Sequence, residues 1–231
     1  MQLKNLYHIF NSHPEGHWIL QPPNPKLLYD FIMEHPIKRV LDLGLGIGAS
    51  SAIISQALLD KGETDFHIDS VENFDKCIKI ANELIPVDLK EHITIHKSEG
   101  KIWYNDKIPY QPFSIFETLP EPPEGGWDII LVDGIGNWME GDFYLEFPNG
   151  DVMKMLLENK IKAGAYIAWD GRYQALKLLE RYYSDNFFLA RPAQTQIQGD
   201  DFNILERKSK DIAYQDDRLE IMKSANYFKD I

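Results

Sequence analysis

Apolar positions along the chain recur in two rhythms that take turns. Short, strongly apolar or alternating runs of strand length occupy 39–43, 66–71, 92–96, 127–132, 165–169, 187–190 and 202–206. Between them, apolar residues recur at helical spacing. Leu27, Leu28, Phe31 and Ile32 share one side of 25–34, and Ala52, Ile53, Ile54, Ala57 and Leu58 share one side of 49–59. Ile78, Ile80, Ala81 and Leu84 do the same over 75–84, and 152–159 and 173–183 also read as helices. Strands alternating with helices predict an α/β fold, a doubly wound and mostly parallel sheet with helices on both faces. The run Trp127-Asp128-Ile129-Ile130-Leu131-Val132 is nearly continuous in apolar residues, as a central parallel strand requires.

Two stretches break this rhythm. Residues 101–126 are rich in aromatics and proline, including Pro109, Pro112, Pro120, Pro122 and Pro123. Residues 135–150 carry Trp138, Phe143, Tyr144 and Phe147. Both are expected to be long loop excursions, a class of segment that is often functional. The expected organisation is one domain over 1–208, with an N-terminal cap or lid region over 1–37 and a polar C-terminal extension over 209–231.

The 231 residues, 44% of them hydrophobic, suffice for one full-sized core. A net charge of −12 repels a phosphate backbone and an anionic lipid surface, so neither nucleic acid nor membrane is an expected partner. The single cysteine, Cys77, rules out an intrachain disulfide framework and fits a reducing, cytoplasmic setting. The first thirty residues hold no apolar core of signal-peptide length, and no apolar run is long enough to span a bilayer. Association into a homo-oligomer stays open.

The strongest local signal is Val40-Leu41-Asp42-Leu43-Gly44-Leu45-Gly46-Ile47-Gly48-Ala49-Ser50. A buried strand runs into a glycine-rich turn and then a helix. Gly44, Gly46 and Gly48 permit positive φ and let a ligand approach the main chain, and Ser50 or Ser51 is a candidate cap for the helix. Gly44, Gly46 and Ala49 also satisfy the dinucleotide form G-x-G-x-x-A. That reading leaves Asp42 unexplained, because an acid repels a pyrophosphate and attracts a sulfonium or an ammonium.

Asp42-x-Gly44-x-Gly46-x-Gly48 resembles the first motif of class I S-adenosylmethionine-dependent methyltransferases. The resemblance continues through Ser70-Val71-Glu72, through the helix containing Ala81, and through the strand ending at Val132-Asp133-Gly134. It extends to Lys162-Ala163-Gly164-Ala165-Tyr166-Ile167-Ala168-Trp169-Asp170 and to the closing Asp201-Phe202-Asn203-Ile204-Leu205-Glu206-Arg207-Lys208. Within the superfamily the chain is most similar to small-molecule O-methyltransferases of the catechol and caffeoyl-CoA type. The resemblance implies a Rossmann-like sheet of seven strands with a final antiparallel strand. It also implies methyl transfer from S-adenosylmethionine to a hydroxyl of a small-molecule acceptor.

Ligands of open α/β sheets sit at the carboxyl ends of the strands. That places Gly44, Glu72, Ser98, Asp133 and Asp170 at the expected site. Glu72 is the candidate for the ribose hydroxyls, with Asn73 beside it, and Ser98 and Glu99 are candidates for the adenine edge. Asp42 is the candidate for the methionine ammonium, with Ser50 also in the cofactor set. Asp133, expected to be buried, is assigned to the cofactor, a metal or the substrate hydroxyl. Catalytic candidates are Asp133, Asp170, His13 and His17; the two histidines sit in a turn-rich segment that can form a lid and present an imidazole, the side chain whose ordinary titration lies nearest neutrality.

In metal-dependent relatives, acids at the positions of Asp133 and Asp170 bind a divalent cation such as Mg2+. Here Gly171 stands where those relatives have asparagine, and a third ligand falls to Glu140 or Asp142. No lysine follows Asp133, where relatives often carry one. Tyr7, Trp18, Trp138, Phe143 and Tyr144 are candidates for the acceptor pocket. Three other readings keep the fold: an NAD(P)-dependent oxidoreductase, a non-catalytic cofactor-binding or assembly protein, and aminopropyl transfer from decarboxylated S-adenosylmethionine.

Overall fold

The computed structural model describes residues 1–104, 112–133, 136–140, 143–147, 150–170, 187–191 and 202–207. The helix expected over 173–183, Asp142 and the extension 209–231 lie outside them, as do the side chains of Trp18, Trp138, Glu140, Phe143 and Tyr144.

In chain order the described elements are α1 (Leu3–Asn11), a 3-10 turn (Gly16–Trp18), α2 (Asn24–Glu34), β1 (Arg39–Leu43), α3 (Ala49–Asp60), β2 (His67–Glu72) and α4 (Asp75–Leu84). They continue with α5 (Val87–Lys90), β3 (Ile93–Lys97), β4 (Gly100–Tyr104), β5 (Pro112–Phe116), β6 (Ile129–Val132), β7 (Gly136–Glu140) and β8 (Phe143–Phe147). The last are α6 (Asp151–Leu157), β9 (Tyr166–Asp170), β10 (Phe187–Arg191) and β11 (Phe202–Arg207). Among the described residues one sheet has seven strands in the order β10-β11-β9-β6-β1-β2-β3. β3, β2, β1, β6 and β9 pair in parallel, and β11 inserts antiparallel between β9 and β10.

The pleat explains why the strands are apolar throughout. Successive side chains point to opposite faces, and both faces are covered. On β1, Val40 joins the core beneath α1, α2 and α3, whereas Leu41 and Leu43 join the core beneath α6 and β5. β6 divides in the same way, with Ile129 and Leu131 on the first face and Ile130 and Val132 on the second.

α3 is buried all round rather than on one apolar face, because α1, α2 and α5 surround it. Its polar positions find partners there: Ser55 donates to the Leu89 carbonyl, and Gln56 accepts from the Met1 amino group and donates to Asp60. The two stretches read as loop excursions hold antiparallel hairpins, β4–β5 and β7–β8. On β5, Phe113 and Phe116 join the second core. Among the described residues no helix is long and apolar enough to cross a membrane.

Candidate functional site

Strand register brings the expected residues to one edge. Leu43 pairs with Val71 on one side and Val132 on the other, and Val132 pairs with Trp169. The residues that follow, Gly44, Glu72, Asp133 and Asp170, therefore emerge together at the carboxyl ends of four adjacent strands. Connections leave β1 and β6 in opposite directions along the sheet, so Gly44 sits at a topological switch point, where such sheets bind ligands.

The glycine turn is held open by its own backbone. Gly44, Gly46 and Gly48 have φ of 103°, 54° and 97°, and the amides of Gly44 and Leu45 both donate to the Val71 carbonyl, at 3.0 and 3.2 Å. At Gly48, which caps α3, a Cβ would stand 2.8 Å from Ile85 Cδ1, so the turn lies flat on the α4 end.

Glu72 closes over this turn. Its Oε2 accepts from the Gly46 amide at 2.8 Å, and its Oε1 accepts from the amides of Asn73 and Phe74 at 2.8 and 2.9 Å. The side chain is only 4% exposed. Burial raises its pKa, opposed by the three backbone amides and by Lys97. Asn73 is half-buried, and its carbonyl accepts from Lys97 Nζ.

Asp42 is fully buried. Ser50 and Ser51 donate to its Oδ2 at 2.7 and 2.5 Å, and Ser51 also bonds Ser70 of β2 at 2.7 Å. Asp42 Oδ1 has no hydrogen-bond partner among the described residues. Burial, only partly offset by the two serines, pushes the carboxyl up to about 6. The serines were expected to cap α3. Instead the cap is Gly48, with no side-chain bond, and the hydroxyls turn inward because an otherwise uncompensated buried acid needs donors. Ser51, named in the sequence only as a candidate helix cap, and Ser70, named only within the Ser70-Val71-Glu72 motif, thus join Asp42; two adjacent serines, the first eight residues after a strand acid, were the available signal.

The pair Ser98 and Glu99 divides. Ser98 is 3% exposed; its amide continues the ladder to the Glu72 carbonyl, and its hydroxyl meets Thr118 Oγ1 at 3.1 Å. The Glu99 carboxylate points to solvent and pairs with Lys97 at 3.0 Å. Asp133, expected to be buried, is half-buried, and its amide donates to the Leu43 carbonyl at 3.0 Å. The fully buried acid on this side is Asp151 at the start of α6, which nothing in the sequence pattern set apart. Both its oxygens accept from the Phe116 amide at 3.2 Å, and burial raises its pKa well above the usual carboxylate value.

Asp170 Oδ1 accepts from the buried Asn24 amide at 2.5 Å. Among the described residues no group of three or more His, Cys, Asp or Glu side chains is placed to hold a metal ion. Across the site, Glu15 pairs with Lys76 in the first turn of α4, His17 Nε2 lies 4.0 Å from Glu15 Oε2, and the Glu15 amide donates to His13 Nδ1 at 3.1 Å. Cys77 lies within reach of both Glu72 and Glu15; burial first, then these two charges, push its thiol up to about 11.

The protein-L-isoaspartate(D-aspartate) O-methyltransferase family model matches residues 16–126, the segment that carries the glycine turn and Glu72. A search of curated proteins finds no match. Among solved structures, a Bacillus cereus O-methyltransferase in complex with S-adenosylhomocysteine superposes with a TM-score of 0.60 at 13% identity, over 90% of each chain. A Podospora anserina methyltransferase with S-adenosylhomocysteine bound gives 0.58 at 14% identity, over 90% of this chain and 88% of that one. A Streptomyces achromogenes O-methyltransferase of tomaymycin synthesis, in complex with S-adenosylmethionine, gives 0.57 at 13% identity, over 90% and 89%. With this sheet order and a glycine turn at the carboxyl end of β1, the chain has the fold of the class I S-adenosylmethionine-dependent methyltransferases.

Proposed function

We propose that the chain transfers a methyl group from S-adenosylmethionine to a hydroxyl oxygen of a small molecule. The observation that carries this reading is the apposition of the positive-φ glycine turn and the buried Glu72 carboxylate at the switch point. The donor set suits an adenosyl sulfonium: backbone amides and two acids, with an unpartnered Oδ1 on Asp42. Glu72 Oε2 holds one further lone pair for a ribose hydroxyl beyond the Gly46 bond. Ser98 stands at the adenine side. Asp42, through its serines, fixes the first turn of α3 against β1 and β2, which keeps the cleft in register.

When bound, the cofactor supplies an electrophilic methyl carbon on sulfur. The protein aligns the acceptor oxygen in line with the departing sulfur at near-attack distance. With the cofactor held at the glycine turn and Glu72, a carboxylate at the reacting end, Asp133 or Asp170, or the His17 imidazole, would take up the acceptor's hydroxyl proton. Asn24 orients Asp170 through their hydrogen bond. Asp133 and Asp170 are the two described acids that would hold a divalent cation; Glu140 and Asp142, the candidates for a third ligand, have side chains outside the described residues.

Titration calorimetry with S-adenosylmethionine, S-adenosylhomocysteine and NAD tests this reading. Micromolar binding of the sulfur nucleosides, about −8 kcal/mol, that Glu72→Ala weakens supports it. Binding of NAD alone removes it. The match of 16–126 to the isoaspartate O-methyltransferase model favours a second acceptor, a peptide carboxylate. A panel of aromatic hydroxyl compounds and an isoaspartyl peptide, run with and without Mg2+, separates the two.

A further inference from the structure

Two buried acids flank the glycine turn, and they differ in what holds them. Asp42 stands two residues before Gly44 on β1, and Glu72 ends the neighbouring β2. Glu72 receives three backbone amides, divided between its two oxygens, and lies in the field of Lys97. Asp42 receives two hydroxyls, both on Oδ2, and its buried Oδ1 has no hydrogen-bond partner among the described residues.

That difference decides which acid can hold a proton. Amides only donate, so the Glu72 pocket fits the ionised carboxylate. Serine hydroxyls donate or accept, so the Asp42 pocket fits either form. Alternation along β1 puts Asp42 on the face of Val40, beneath α3, with Ser70 beside it on β2 and Leu131 beside it on β6. α3 turns Ser50 and Ser51 toward it and has no acid in its first turn. β2 adds the charge of Glu72, and Asp133 follows two residues beyond Leu131. Burial first, with the Glu72 charge, favours the neutral acid against the two serines.

A positive charge at the turn changes this balance. Two residues of strand span at most about 7 Å, so a cation held by the glycine turn acts on Asp42 without touching it. A unit charge about 10 Å away, across an effective dielectric of about 20, shifts a proton equilibrium roughly tenfold. We propose that Asp42 is a charge sensor beneath the candidate cofactor site, giving up its proton to solvent when a cationic cofactor enters and regaining it when the sulfur loses its charge. On entry its O–H bond breaks and the electron pair stays on the carboxylate. The site thereby favours the sulfonium donor over its uncharged-sulfur product, which promotes exchange of one for the other after each turnover. The inference rests on the methyltransferase reading for the identity of the cation and on the Asp42 pocket for the proton.

The test is titration calorimetry of the full chain at pH 5.5 in buffers of different ionisation enthalpy, which counts protons released per ligand bound. The probes are S-adenosylmethionine and S-adenosylhomocysteine. For an acid starting at about 6 and shifted tenfold, about half a proton should leave with S-adenosylmethionine and clearly less with S-adenosylhomocysteine. S-adenosylmethionine should bind about fivefold more weakly at pH 5 than at pH 7. Asp42→Asn still accepts from both serines and cannot ionise, so it should erase the difference in proton release between the two nucleosides. Should that variant fail to fold, infrared difference spectra of the wild type decide. A protonated-carboxyl C=O band should disappear on addition of S-adenosylmethionine and persist with S-adenosylhomocysteine. Equal proton release with both nucleosides, an unchanged difference in Asp42→Asn, or no such band overturns the proposal and leaves the methyltransferase reading standing. Binding of neither nucleoside removes that reading and the proposal with it.

Discussion

The Glu72 carboxylate and the Gly46 amide clasp one another at 2.8 Å, joining the end of β2 to the middle of the glycine turn that leaves β1. The same carboxylate holds the amides of Asn73 and Phe74. Glu72 thus holds the turn in shape through three backbone amides. Replacing one carboxylate oxygen by an NH2 in Glu72→Gln sets donor against donor. The expected loss is about 1–3 kcal/mol of stability, as for unsatisfied buried groups, together with weaker S-adenosylhomocysteine binding. Urea denaturation and calorimetry check both. Unchanged stability and affinity in Glu72→Gln would contradict the clasp.

Asp42 gives stability a distinctive pH dependence. Its folded pKa is raised from 3.8 to about 6 by burial. Between those values the folded state holds a proton that the unfolded state has released, so this group's contribution is present at low pH and lost as pH rises through about 6. Its full size is up to about 3 kcal/mol. In Asp42→Asn, a neutral side chain that still accepts from Ser50 and Ser51, the component should vanish. Denaturation free energies across this interval for both proteins are the measurement. Parallel pH profiles would show that Asp42 does not carry the shift.

Gly48 joins backbone conformation to packing. Its φ of 97° disfavours any L side chain, and a Cβ there would meet Ile85 Cδ1 at 2.8 Å and Ala81 Cβ at 3.1 Å. Gly48→Ala should therefore destabilise by about 1–3 kcal/mol. Ile85→Ala opens the space without relieving φ. The double variant should consequently cost less than the sum of the two singles in a denaturation cycle. Strict additivity would mean that the overlap is absent.

Asp151 is buried with both oxygens on the Phe116 amide, and its carboxyl favours the neutral form. Its stabilising contribution declines as pH rises above the ordinary carboxylate value. Asp151→Asn keeps a carbonyl for Phe116 and cannot ionise, so at alkaline pH it should be at least as stable as the wild type. Asp151→Leu removes the carboxylate's hydrogen bond to the Phe116 amide and should lose about 0.5–1.5 kcal/mol, the net worth of one hydrogen bond. Thermal melts of the three proteins decide the matter. A wild type more stable than Asp151→Asn at alkaline pH would point to a charged, compensated carboxylate.

The sequence by itself determined the layout. Apolar runs such as Trp127–Val132 and the helical spacing of Leu28, Phe31 and Ile32 mark strands and helices because both faces of a parallel sheet must be covered. The glycine spacing after Asp42, and Glu72 at the end of the next strand, marked the ligand edge because backbone conformation and strand ends are local properties. Which groups meet across that edge was decided only by the tertiary structure. Ser50 and Ser51 face Asp42 instead of the helix end, Ser98 turns inward while Glu99 turns out, and Asn24 finds Asp170. The hairpins within 101–126 and 135–150 escaped the pattern because their strands pair outside the main sheet. A buried acid such as Asp151 reads in sequence like any helix-start aspartate. Its hydrogen-bond partner lies 35 positions away, and only the packed core joins them.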